Sequence, residues 1–112
     1  MTAYAVARLR EVRFGPQIAE YLRRIDDTLD AFGGRFLVHG DPYEVKEGSW
    51  TGDTIIIAFP DPASAHAWYD SPAYRAILPL RTDNSAADVI IVAGTEPGHR
   101  GVDALKNLPP VD

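Results

Sequence analysis

From Tyr4 to Val12 the chain alternates between two kinds of position. Ala5, Ala7 and Leu9 point one way; Tyr4, Val6, Arg8 and Arg10 point the other. A period of two predicts a strand. Phe14-Gly-Pro16 interrupts it, and Pro16 suits the first position of a helix. Ile18, Tyr21, Leu22, Ile25, Leu29 and Phe32 then recur at spacings of three and four, with Glu20, Arg23, Arg24, Asp26, Asp27 and Asp30 between them. That spacing predicts an amphipathic helix of about four to five turns. Gly33-Gly34 stops it, because glycine takes the left-handed conformation common at helix ends.

Arg35 to Tyr43 reads as a second strand, with Phe36 and Val38 on one side and Arg35, Leu37, His39 and Asp41 on the other. Gly40 and Asp41-Pro42 predict a bulge or bend within it. After the turn at Glu47-Gly-Ser-Trp-Thr-Gly52, the run Thr54 to Phe59 is apolar and β-branched, as in a strand buried on both faces. Asp61-Pro62 and Ser71-Pro72 are two helix starts, each a capping side chain followed by proline. The first helix buries Ala65, Trp68 and Tyr69; the second carries Tyr74, Ile77 and Leu78, and Pro79 is expected to end or kink it. Arg81 to Ala87 reads as a polar connection and Asp88 to Ala93 as the last strand.

The order β-α-β-β-α-β predicts an α+β, ferredoxin-like fold: a four-stranded antiparallel sheet with helices on one face. Alternation assigns Ala5, Ala7, Leu9, Phe36, Val38, Ile55, Ile57, Phe59, Val89 and Ile91 to the helix side. The other side still carries Tyr4, Val6, Leu37, Ile56, Ala58, Ile90 and Val92, with Arg8 and His39 its clear polar members. An apolar face of that size marks an interface. The expected assembly is a homodimer whose sheets pack face to face into a shared barrel-like core.

Composition narrows the function classes. A chain of 112 residues is one domain, able to bury about two-thirds of its surface. It has no cysteine, which removes disulfides, thiolate metal sites and cysteine nucleophiles. A net charge of −5 argues against nucleic acid or an anionic membrane as main partner. The longest apolar run is Val89 to Ala93, far short of a membrane span, and no signal peptide precedes the first strand. The expectation is a cytoplasmic protein.

Several segments are familiar when taken together: Tyr4-Ala-Val-Ala-Arg-Leu9, Phe32-Gly-Gly-Arg-Phe-Leu-Val-His-Gly40, Glu47-Gly-Ser-Trp50, Phe59-Pro60, and Ala67-Trp-Tyr-Asp-Ser-Pro-Ala-Tyr74 followed by Arg81. Over roughly residues 3 to 94 the chain resembles domain-of-unknown-function family 1330. The resemblance implies a dimeric α/β-barrel protein. Two positions depart from the family pattern, which has a basic residue at His39 and often glycine at Asp41. Relatives in the wider superfamily include cofactor-free monooxygenases, small-molecule isomerases and haem proteins, and such kinship does not fix an activity.

Trp68, Tyr69 and Tyr74 either pack as core or line a pocket between helices and sheet, which Tyr21 and Trp50 would complete. Arg81 either holds a carboxylate or enolate with its planar fork or is a charge favoured at a helix C-terminus. His39 and Asp41 are the candidates for general-base work, with Arg8, a further ligand-binding candidate, on the same face. The alternative there is a polar cluster at the dimer interface in which Arg8 pairs with Asp41. No compact metal-ligand motif exists: His39, Asp41 and Glu44 supply ligand types, but His66 and His99 are remote. Neither a phosphate loop nor a glycine-flanked serine elbow is present. The expected function is binding of a small aromatic or carbonyl compound, which leaves open whether the protein is also an enzyme acting without a bound cofactor, of the monooxygenase or isomerase type; the alternative is a non-catalytic dimeric module with a solid aromatic core.

Residues 1–94 form the domain and 95–112 an extension. Val102, Leu105 and Leu108 are spaced for one helical turn, which Pro109-Pro110 would end, leaving Val111 and Asp112 loose. An isolated turn is unstable in water, so the segment is expected, where ordered, to lie across the partner subunit.

Overall fold

A computed structural model describes residues 1–109. The elements are β1 (Ala3–Arg10), α1 (Pro16–Asp30), β2 (Arg35–His39), β3 (Asp53–Phe59), α2 (Pro62–Asp70), α3 (Pro72–Thr82) and β4 (Ala86–Ala93), followed by a 3-10 helix at Gly101–Asn107. The strands form one antiparallel sheet in the order β2-β3-β1-β4, the ferredoxin-like arrangement. β1 is central: Ala5 stands opposite Ile57 and Ile91, and Val6 opposite Ile56 and Ile90. The fold read from periodicity is therefore the fold observed. Among the described residues no helix is long and apolar enough to cross a membrane.

Local chemistry fixes the helix ends as the sequence implies. Gly33 has φ 70°, and the Gly34 N–H donates to the Leu29 carbonyl at 3.1 Å, closing α1. A Cβ on Gly34 would lie 2.7 Å from Leu29 and 2.8 Å from Phe59, so glycine also lets the turn pack on the core. Asp61 caps α2 by accepting the Ser64 N–H at 2.7 Å, and that bond lowers the Asp61 pKa. Ser71 caps α3 by accepting the Tyr74 N–H at 3.2 Å.

Two expectations are corrected. Pro79 neither ends nor breaks α3, which runs on to Thr82. A proline removes one N–H donor, and here the helix resumes at once, with Asp83 N–H donating to the Pro79 carbonyl at 2.9 Å. Arg81 is thus a helical residue, on the stripe of Tyr74, Ile77 and Leu78, and not part of a polar connection. The second correction concerns β2, which ends at His39 and not at Tyr43. Phe36 pairs with Ile57, but Val38 pairs with Ile56 and His39 with Ile55. One extra residue, Leu37, sits in a β-bulge. Beyond it the faces exchange: Val38 joins the helix-free side, and His39 turns to the helix side.

α1 packs on α3, while α2 lies against β1, β3 and β4. The helix-free face is bare, and Ile90 there is 58 % exposed. Arg8 and Arg10 reach Asp88 at 3.1 and 2.8 Å at one end of it. The chain exposes 7678 Å², against about 6,100 Å² for a compact monomer of its mass. Its radius of gyration is 16.5 Å, against about 13 Å. The segment between β2 and β3 and the extension are exposed over most of their described length. In the 3-10 helix the Arg100 N–H donates to Asp103 at 2.9 Å, while Val102, Leu105 and Leu108 are all more than half exposed. Pro110, Val111 and Asp112, expected to end the turn and trail off, lie outside the described residues.

Candidate functional site

Alanines open the site. The helix-side positions of β1 are Ala3, Ala5, Ala7 and Leu9. Where Ala5 and Ala7 rise little from the central strand, a cavity of about 360 Å³ remains between sheet and helices, and Leu9 adds to its lining. Ile55, Ile57, Val89, Ile18, Ile25 and Phe36 give it apolar walls. Its inner end is aromatic and buried: Trp68 and Tyr74 are each 2 % exposed and Tyr21 8 %. Its lining continues to exposed residues at the other end, Phe14, Leu22, His39, Gly40 and Asp53, which form the mouth.

The aromatic groups are fixed from outside the cavity. The Trp68 Nε1–H donates to Thr28 Oγ1 at 3.0 Å, and that hydroxyl donates to the Ile25 carbonyl at 2.7 Å. Trp68 and Tyr74 pack with ring centres 4.1 Å apart, and Tyr69 lies 5.6 Å from Tyr74. Trp68, Tyr69 and Tyr74 are thus packed on one another and are also among the residues that line the space.

Arg81 is the unusual group. It is 7 % exposed, lines the cavity, and holds its guanidinium 6.0 Å from the centre of the Tyr21 ring. Among the described residues no carboxylate comes within ion-pair distance of it. Burial works against its charge; the Tyr74 and Tyr21 oxygens outweigh this, and its pKa stands above the ordinary value. The Tyr21 and Tyr74 hydroxyls are 2.7 Å apart. Two phenols carry two protons and share one hydrogen bond, so one O–H is left to donate. Burial pushes the Tyr21 phenol well up, Tyr74 adds to the rise, and Arg81 opposes it. The Tyr21 phenol therefore stays protonated at neutral pH. The inner end thus offers the cavity N–H and O–H donors and a positive charge, and it lacks a matching anion.

The other expected site residues divide. His39 reaches the mouth because of the bulge; its ring stacks on Phe36 at 4.2 Å and 11°. Asp41 does not face Arg8: its carboxylate accepts the His39 backbone N–H at 2.9 Å. Arg8 pairs with Asp88 instead and lies 5.9 Å from the Trp50 ring. Trp50 donates to Thr54 Oγ1 at 2.9 Å. Arg8 and Trp50 thus belong to the helix-free side, away from the cavity, and Trp50 does not complete its lining. Asp53 and Ser85 line the cavity without having been singled out in the sequence. Among the described residues no three His, Asp or Glu side chains gather as a metal site.

Solved structures agree on the fold. A protein of unknown function from Rhodopseudomonas palustris is 18% identical, with 86% of this chain and 84% of that one covered and a TM-score of 0.63. A dimeric ferredoxin-like protein of unknown function from Jannaschia sp. CCS1 is 15% identical, with 84% and 100% covered and a TM-score of 0.62. SnoaB, a cofactor-independent oxygenase from Streptomyces nogalater, is 14% identical, with 88% and 98% covered and a TM-score of 0.50. No curated protein matches the chain. The family model described as domain of unknown function (DUF1330) matches residues 2–95, and the chain belongs to that family.

Proposed function

We propose that the chain binds a small organic anion, an aromatic or apolar body bearing a carboxylate or enolate, with the anionic end on Arg81 and the free phenol O–H. The observation that carries this is a buried guanidinium facing an apolar cavity with no carboxylate beside it. A buried cation is costly unless something pairs with it, and an acceptor-only oxygen group is what this donor set matches. The cavity favours this reading over a module whose aromatics only pack. SnoaB acts without a cofactor; an activity of that kind needs no group beyond the residues named here. Calorimetric titration with phenylacetate tests the proposal, together with mass spectrometry of acid-released compounds from freshly purified protein. Saturable binding is expected, weakened about 10- to 100-fold by Arg81→Met, which removes a charge-assisted pair. Equal binding by parent and variant would remove Arg81 from the site.

The same proposal includes a homodimer. The bare face, Tyr4, Val6, Val38, Ile56, Ile90 and Val92, is covered by the same face of a second copy, with about 2,000 Å² or more buried in total. The extension lies across that copy with Val102, Leu105 and Leu108 inward. Sedimentation equilibrium at micromolar concentration is expected to give the dimer mass; a folded 12.3 kDa species would refute it.

A further inference from the structure

We propose that the cavity is a proton-transfer site, in which His39 takes a proton from carbon next to a carbonyl while Arg81 and the free phenol O–H receive the charge that develops on oxygen. This rests on the anion-binding reading above. The structure places two unlike poles in one cavity. The inner pole, Arg81 with Tyr21 and Tyr74, is donor-rich, buried and preformed, the arrangement that stabilises an oxyanion as it forms. The outer pole is an imidazole. Among the described residues its ring nitrogens bond to no protein group; the one hydrogen bond at His39 is made by its backbone. A neutral imidazole with a free lone pair is a competent base.

The backbone around His39 is arranged for this orientation. The bulge at Leu37 puts the ring on the cavity side, and stacking on Phe36 at 4.2 Å fixes its plane. Asp41 holds the His39 N–H, and the Gly40 N–H donates to the Thr54 carbonyl at 2.9 Å in a left-handed turn. Without the bulge, alternation would put His39 on the helix-free side. Bulges beside sites re-aim a side chain in this way.

The chemistry favours a 2-oxo acid with an aromatic or branched apolar body and a hydrogen on C3. The C3–H bond breaks and its proton goes to His39. The electron pair forms C2=C3, and the carbonyl π pair moves to O2, giving an enolate held by Arg81 and the phenol. Return of a proton to C3 restores the ketone; return at another carbon of a conjugated substrate isomerises it. Atoms and electrons balance with no oxidant, reductant or co-reactant.

Phenylpyruvate is the probe, with benzoylformate, which has no C3 hydrogen, as a binding control. Loss of the C3 proton signal in D₂O is followed by NMR while calorimetry gives Kd for both acids. The parent protein is expected to accelerate exchange about 100-fold or more over buffer, the usual range for a positioned acid–base group. His39→Gln, at an exposed position that leaves the core intact, is expected to lose that acceleration with Kd unchanged within about threefold. Saturable phenylpyruvate binding with exchange at the buffer rate, or His39→Gln exchanging like the parent, would overturn this inference and leave the binding site standing. Failure of both acids to bind would overturn the two together.

Discussion

The two faces of the sheet are built from the same alternation and end in opposite conditions. On the helix side, apolar residues from β1, β3 and β4 meet α1, α2 and α3, and what remains is an internal space with a buried cation at its end. On the other side, apolar residues such as Ile90 and Val92 stay exposed, and charges gather at one margin as Arg8, Arg10 and Asp88. One face is covered by the chain's own helices around a cavity, and the other by no helix among the described residues. An unfilled volume with directed donors selects a small molecule, and an unfilled area selects a surface of matching size.

The largest effect is expected where the comparison is most exposed to failure. Ile56→Asp puts a charge at the centre of the bare face, and an unpaired buried charge costs about 3–5 kcal/mol. Sedimentation velocity should show no folded dimer; an intact dimer would mean that this face is not the interface. Trp68→Ala probes the opposite face, where it should cost about 3–5 kcal/mol in chemical denaturation, since ring packing and the Thr28 bond are both lost. Arg81→Met should separate binding from stability. Removing a buried cation with no carboxylate partner is expected to leave stability unchanged or raise it by about 1 kcal/mol, while anion binding falls. A large loss of stability would show that Arg81 holds the fold together.

Smaller effects sharpen the contrast. Deleting residues 96–112 should lower the melting temperature of a dimer by about 2–4 °C per kcal/mol of lost docking, with the core fold retained in circular dichroism. A truncated protein that melts and self-associates like the full chain would make the segment an unattached extension. Alkaline pH tests the inner pole. The Tyr21 pKa is raised in the folded state, so above about pH 10 the unfolded chain releases a proton that the folded chain keeps. Unfolding then releases protons, and stability falls as pH rises. Tyr21→Phe should flatten that slope.

Element order and both faces of β1, β3 and β4 were legible, the faces because an unbroken period of two leaves one assignment for each side chain. β2 was not. Phe36-Leu37-Val38-His39 reads as regular alternation, and nothing in those four residues marks the bulge; Gly40 pointed to an irregularity but placed it after His39. One inserted residue moved His39 from one face to the other. Arg81 was legible as a candidate but not as buried, because Pro79 implied that the helix had already stopped. The aromatic cluster was legible from spacing alone. The cavity was not, although Ala3, Ala5 and Ala7 under bulky helices carry its signal: small residues on a central strand leave room that only the helix positions can convert into space. Arg8 and Trp50 were drawn toward the pocket by residue type, and strand parity alone places Arg8 on the other side.

The bulge at Leu37 also bears on solubility. β2 is an outer strand, and its unpaired N–H and C=O groups would template the addition of further strands. A run such as Phe36-Leu37-Val38 beside β3 is the kind of edge at which sheets extend without limit. The extra residue breaks the ladder's repeat and increases local twist, and the chain leaves the sheet directly after His39 through Gly40. An incoming strand would therefore find a short and irregular template. Growth from that edge is discouraged, whereas β4, the other outer strand, pairs with β1 in unbroken register and carries no such bulge, so the sheet's margins are protected on one side.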